Sequence, residues 1–348
     1  MPRSLLAAAP CTSGDPTYSR RALVGALAAL AISCGRRADR ERPAATSIVP
    51  EPTAMTAAAA GASVIPSVAP PEPPAPPGIT LRTLAFGPAQ GGPQQAVVVT
   101  PAGGAASARY PLLVALGGLG ETRRGLAAGA AGWVEDYWLD RTLKRLAAPP
   151  LTRADFQDLV DPARLAAINA SLAARPYRGL VVACPFTPDL WTQRSLDTVG
   201  PFARFLVERL LPRVRAEAPT LRAAASTGID GVSLGGRLSL LAALEQPGAF
   251  GAVGVTQGAF HPDEVPEVTR RTAAARSRGG FRLRLLTSDR DFYREALEEL
   301  DVALVEAEVA HDHLDVPGPH GYPFNRGPGA IEMLLWHDRV LRGEAPDL

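Results

Sequence analysis

From about residue 79 onward, short apolar runs bounded by glycine and proline alternate with longer helical stretches. That alternation narrows the choice of fold more than any other feature of the chain. Apolar runs of four to eight residues between turn signals are strand-sized. They fall at residues 79–86, 95–100, 111–116, 180–183, 227–232, 252–256, 281–287 and 302–308, the fifth being the weakest. Residues 121–148 read as helical. Residues 152–174 follow with Thr152 as one helix start and Asp161-Pro162 as another, a cap before a first-turn proline. Phe202, Phe205, Leu206 and Leu210 share one face of a helix over 201–216, and further helices cover 234–245 and about 328–342. Strands alternating with helices predict an α/β fold: a mostly parallel, eight-stranded sheet flanked by helices on both faces, with a helical insertion after the third strand. In such sheets the working site lies beyond the carboxyl ends of the strands.

The fifth strand runs into Gly231-Val232-Ser233-Leu234-Gly235. Gly-x-Ser-x-Gly is the nucleophile-elbow pattern, with a serine on a strained turn between strand and helix. The pattern is short enough to arise by chance in a chain with 33 glycines, so its weight depends on what accompanies it. A serine hydroxyl needs a base, a group that orients the base, and two N–H donors for the oxyanion. Leu234 supplies one amide. The glycine-rich loop Leu116-Gly117-Gly118-Leu119-Gly120-Glu121 offers Leu119 as the second. Strand seven leads to Asp289 and Asp291, either of which can orient a histidine; Asp291, further into the loop, is favoured. All five histidines lie in the last third of the chain, and His320 sits in the turn Pro317-Gly318-Pro319-His320-Gly321. The expected catalytic set is therefore Ser233, Asp291 and His320, in the chain order nucleophile, acid, base.

One other reading carries less weight. His311-Asp312-His313-Leu314-Asp315 has a spacing that gathers zinc in some hydrolases, but few further ligands accompany it, so no metal and no cofactor is expected. His337 is expected on the surface of the last helix, and Cys184, on an apolar strand, is expected to be a small buried hydrophobe.

Residues 79–342 resemble the esterase branch of the α/β-hydrolases that includes enterochelin-esterase-like and S-formylglutathione-hydrolase-like enzymes. The resemblance rests on the buried strand 111–116 with its glycine loop, on Gly231-Val232-Ser233-Leu234-Gly235-Gly236, on the carboxylate loop after strand seven, and on the Pro-Gly-x-His segment ending at His320. It implies hydrolysis of carboxylic esters or thioesters without a cofactor, and sometimes acyl transfer. Ser288-Asp289-Arg290-Asp291 aligns with the family's Gly-x-x-Asp, which again favours Asp291. The chain departs from the family where Gly117-Gly118 replaces a usual His-Gly. An inactive, ligand-binding relative is the alternative that this departure raises. Trp133, Tyr137 and Trp138 in the long 121–178 segment could line a substrate pocket or simply pack in the core. Trp191 and Phe260 mark two further loops expected to contact a small acyl ester.

Residues 1–33 read as an export signal: Arg20-Arg21 precede an apolar run, 22–32, too short to span a bilayer. Ser19-Arg20-Arg21-Ala22-Leu23-Val24 resembles a twin-arginine motif. Ala31-Ile32-Ser33-Cys34 resembles a lipobox, with Cys34 as the lipidated residue. Residues 35–78 hold ten prolines and eleven alanines, a composition that cannot bury a core and reads as an extended tether. The catalytic domain is then 79–348, held at the cell envelope, and a membrane partner is expected only through that lipid anchor. With 36 basic and 35 acidic residues and no basic block carrying aromatics, nucleic acid is not an expected partner.

Overall fold

The computed structural model of the protein describes residues 78–346 apart from 90, 91, 104, 194 and 279. The export signal, Cys34 and the tether up to residue 77 lie outside the described residues. The eight strands are β1 (Ile79–Ala89), β2 (Gly92–Pro101), β3 (Leu112–Leu116), β4 (Val181–Pro185), β5 (Thr227–Gly231), β6 (Ala252–Thr256), β7 (Arg282–Arg290) and β8 (Asp312–Pro319). They form one sheet in the order β1-β2-β4-β3-β5-β6-β7-β8. β2 runs antiparallel to both β1 and β4, and every pairing from β4 to β8 is parallel. This is the architecture of the α/β-hydrolases.

The central strands follow from their residues. β3 (LLVAL), β4 (VVACP) and β6 (AVGVT) are buried at every position, as a parallel strand covered by helices on both faces must be. Burial also pushes the Cys184 thiol far above its ordinary value, which keeps it an inert core group. Two apolar clusters fill the two faces. One gathers Leu112, Val114, Leu116, Phe202, Phe205 and Leu238; the other gathers Leu113, Ala115, Trp133, Tyr137, Phe156, Leu334 and Trp336.

Between β3 and β4 stand the helices Leu119–Thr122, Leu126–Glu135, Leu139–Leu146 and Pro162–Ala174, the expected insertion. The Thr152 start is a short 3₁₀ turn closed by a capping box with Asp155, and the Asp161 carboxylate accepts the Arg164 N–H at 2.8 Å. The helix expected at 234–245 is Leu234–Glu245.

Two expectations require correction. Residues 302–308 are not a strand; they fall at the end of the helix Arg294–Glu306, and the last strand is Asp312–Pro319. His337 is not on the surface. It is fully buried in the helix Ala330–Val340 and bonds Asp230 Oδ2 at 3.1 Å.

That contact explains the weakness of the fifth strand. Asp230 interrupts an apolar run, yet no part of it is exposed. Its Oδ1 accepts the Gly231 N–H at 2.7 Å and the Thr256 hydroxyl at 3.2 Å, and its Oδ2 faces His337 and Arg284. A buried carboxylate is tolerable only with such partners. Gly254 makes room for it, since a Cβ there would lie 1.7 Å from Asp230 Oδ2.

Candidate active site

The site occupies the carboxyl ends of the parallel strands. Ser233 follows β5 at φ 58°, ψ −119°, and caps the helix Leu234–Glu245. Its N–H donates to Thr256 O at 3.0 Å, and its carbonyl accepts from Arg237 and Ala259. These bonds hold a conformation that costs a non-glycine residue about 1–3 kcal/mol. The flanking glycines are required by close approach: a Cβ on Gly235 would lie 2.3 Å from Leu116 O, and one on Gly231 2.5 Å from the Gly235 carbonyl carbon. The turn is tight enough to lay the helix directly on β3.

Asp291 stands one residue past β7 and His320 one past β8. The His320 Nδ1 lies 2.7 Å from Asp291 Oδ1. The Asp291 side chain is fully buried and also accepts from the Tyr293 N–H at 3.0 Å and the Thr287 hydroxyl at 3.2 Å. With Nδ1–H directed at the carboxylate, Nε2 keeps the lone pair. Asp289, the other candidate, instead accepts the Gly318 N–H at 2.7 Å and pairs loosely with Arg290 at 3.5 Å. It fixes the turn that carries His320. Among the described residues no hydrogen bond joins Ser233 Oγ to His320, a bond that in ligand-free hydrolases commonly closes only with substrate.

Sequence reasoning missed Gln257. At φ 45°, just past β6, it donates its N–H to Leu286 O at 2.7 Å and its side-chain amide to Ser288 Oγ at 2.6 Å and Pro319 O at 3.3 Å. It draws the residue before His320 toward the strand next to β5. A lone glutamine after a strand gives no pattern by which this could be anticipated.

The two proposed donors have matching surroundings. Leu119 opens the helix Leu119–Thr122 and Leu234 opens the helix Leu234–Glu245. Among the described residues neither N–H meets an acceptor, as expected of first-turn amides. The adjoining loop is held from outside: Gly117 N–H donates to Thr187 Oγ1 at 2.9 Å, the Thr122 N–H donates to Gly118 O at 3.2 Å, and the Thr122 hydroxyl donates to Thr187 O at 2.8 Å. These threonines support a loop that has no side chain at 117 or 118.

The expected pocket aromatics divide. Trp191 is half-buried, stacks on His261 at 4.9 Å and meets the edge of Tyr293 at 5.7 Å. Tyr293 in turn stands edge-on to His320 at 5.4 Å, and Phe292, 70% exposed, lies 4.1 Å from the His320 ring. Tyr137 is buried, and its hydroxyl reaches Gly118 N at 3.4 Å. Trp133 and Phe260 are each 2% exposed and pack in the two core clusters, Trp133 edge-on to Tyr137 and Phe260 under the Arg237 guanidinium. They shape the interior under the site and offer no surface to a ligand.

The His-x-His segment makes no ligand set. His311 Nε2 and His313 Nδ1 both lie against Asp301, at 2.7 and 3.1 Å, and Asp312 accepts the Trp336 indole N–H. Among the described residues no group of three or more His, Cys, Asp or Glu is arranged to hold a metal ion.

Comparison with known proteins agrees with this fold. Residues 197–287, from before the elbow to the end of the apolar part of β7, match the protein-family model described as "Putative esterase". Among solved structures, an S-formylglutathione hydrolase from Staphylococcus aureus is similar at 14% identity and TM-score 0.53, over 76% of this chain and 99% of that one. A ferulic acid esterase is similar at 13% identity and TM-score 0.55, over 76% and 99%. The feruloyl esterase module from Clostridium thermocellum gives 15% and 0.53, over 75% and 88%. At these identities the likeness is one of fold. No curated protein matches the chain in sequence. Fold and site together define an α/β-hydrolase-fold protein whose elbow lies within an esterase family match.

Proposed function

We propose that the protein is a carboxylic ester hydrolase that works through an acyl-enzyme on Ser233. The observation that carries this reading is the elbow serine at φ 58° on a sheet whose β7 and β8 ends deliver a 2.7 Å Asp291–His320 pair. His320 Nε2 takes the proton of Ser233 Oγ as that oxygen attacks the acyl carbonyl, and Asp291 stabilises the imidazolium that forms. The developing oxyanion accepts from the Leu119 and Leu234 N–H groups. Collapse expels the alcohol, protonated by His320, and water activated by the same imidazole releases the acid. Nucleophile, base and donors all come from the chain, so the chemistry calls for no cofactor. The row Phe292, Tyr293, Trp191 beside His320 offers apolar surface to a small acyl ester.

A fluorophosphonate probe should label Ser233 stoichiometrically, and activated esters should be turned over. Ser233→Ala should lose both, with kcat falling by about 10⁶-fold. Folded protein that takes no label would exclude the reading. For the N-terminal segment we propose export and lipidation at Cys34. Metabolic labelling with a fatty acid should mark the wild-type chain and leave Cys34→Ala unmarked; equal labelling of both would exclude it.

A further inference from the structure

Glu121 is a carboxylate only 3% exposed, three residues past Gly118 in the chain. Its hydrogen-bond donors among the described residues are two phenols: the Tyr137 hydroxyl, in a short bond to Oε2, and the Tyr322 hydroxyl, 3.0 Å from Oε1. Burying a carboxylate is costly, and an apolar side chain of similar volume would fill the space without that cost. The position of the cluster shows what it could serve. A Cβ built on Gly118 would lie 3.1 Å from Glu121 Oε2, 3.2 Å from the Tyr137 oxygen and 3.7 Å from Ser233 Cβ. Carboxylate, phenol and elbow serine thus surround a single glycine of the loop.

Three of the four backbone groups of that glycine pair have partners. Thr187 accepts from Gly117 N, Tyr137 accepts from Gly118 N at 3.4 Å, and the Thr122 N–H donates to Gly118 O at 3.2 Å. The next group along the chain, Leu119 N–H, has no acceptor among the described residues. The loop has no side chain of its own at 117 or 118 to fix it, so its orientation is set by these three neighbours.

We infer that Tyr137 is a positioning residue for the oxyanion donor, oriented in turn by Glu121. By donating its proton to Glu121, the phenol turns a lone pair toward Gly118 N–H; the 118–119 segment is then held with Leu119 N–H free to meet the oxyanion. Burial and the Glu121 charge push the Tyr137 phenol well above its ordinary value, so it stays a donor throughout the neutral range. Tyr322, two residues past His320, ties the histidine segment to the same carboxylate.

The inference rests on the ester-hydrolase reading, and two readouts separate them. In wild-type protein, turnover of a p-nitrophenyl ester and affinity for a trifluoromethyl ketone, which forms a serine hemiketal oxyanion, are measured first. Tyr137→Phe should lower kcat 10- to 100-fold, less than the loss on deleting a donor outright. KM should stay within threefold, and ketone affinity should fall by the same factor as kcat/KM. Glu121→Ala should act alike, whereas Glu121→Gln, which keeps an acceptor for the phenol, should recover at least a third of wild-type kcat. Amide exchange at Gly118 should quicken at least tenfold in Tyr137→Phe. That readout needs no substrate, so it still decides the matter if the wild type hydrolyses no ester, in which case the ester reading alone has failed. Wild-type kcat in Tyr137→Phe, a kcat loss without loss of ketone affinity, or unchanged Gly118 exchange would each overturn the inference. Should Tyr137→Phe fail to fold, Glu121→Ala with wild-type kcat and exchange would overturn it equally.

Discussion

Ser233 holds a backbone conformation that is unfavourable for any side chain, and the residues around it supply the compensation. Its amide and carbonyl make three hydrogen bonds, and the neighbouring glycines leave space that no other residue could leave. Gly235→Ala should therefore cost about 1–3 kcal/mol from overpacking against Leu116 and Gly117, read as a lower denaturation midpoint together with loss of fluorophosphonate labelling. His337 gives a pH prediction. Burial lowers its pKa from 6.5, opposed by the Asp230 hydrogen bond and charge, while Arg284 lowers it further. In this window the unfolded chain binds a proton that the folded chain does not. Stability should then be full above pH 6.5 and decline as pH falls toward the lowered folded value, by at most about 1.4 kcal/mol per pH unit. Urea midpoints between pH 5 and 8 test this, and His337→Gln should flatten the slope.

At the scale of elements, the misread segment is the instructive one. Residues 302–308 contain Val302, Val305 and Val309 close by, a β-branched set that resembles a strand. In the structure the apolar spacing that counts is Leu297, Leu300 and Leu304, buried at helical intervals, while Val302 and Val305 are more than half exposed. The true last strand, Asp312–Pro319, is an edge carrying histidine, aspartate and two prolines. An edge strand has one neighbour and one buried face at most, so its apolar signal is weak. Where local chemistry is strong the reading holds: Asp161-Pro162 starts a helix as expected. Asp161→Ala should cost about 1 kcal/mol by leaving the Arg164 N–H without its cap, measured as a shift in chemical-denaturation midpoint.

Across the whole molecule, the long insertion is secured to the last helix by charge. Arg164 on Pro162–Ala174 grips Glu332 on Ala330–Val340 with bonds of 2.8 and 2.6 Å, and Glu332 is 1% exposed. Arg284 Nη1 donates to the Glu332 carbonyl while Nη2 faces Asp230, so one chain of contacts links insertion, last helix and elbow strand. Removing Arg164 leaves a buried carboxylate without its main partner. Arg164→Ala should destabilise the fold by about 3 kcal/mol, and Arg164→Met with Glu332→Leu should regain much of it. A thermal melt of the single and double variants checks both statements.

The sequence by itself determined the sheet-and-helix alternation, the elbow, and the order of Ser233, Asp291 and His320. Each is encoded locally, in apolar runs and in glycines that a tight turn demands. Only the tertiary structure shows that Asp291 faces His320, 29 residues away, while Asp289 turns to the Gly318 N–H. It likewise placed Asp230 with His337 across 107 residues, and Glu121 with Tyr322 across 201. Polar side chains that meet over such separations leave no periodic trace in the chain. Their partners are chosen by packing, and packing exists only once the strands have assembled.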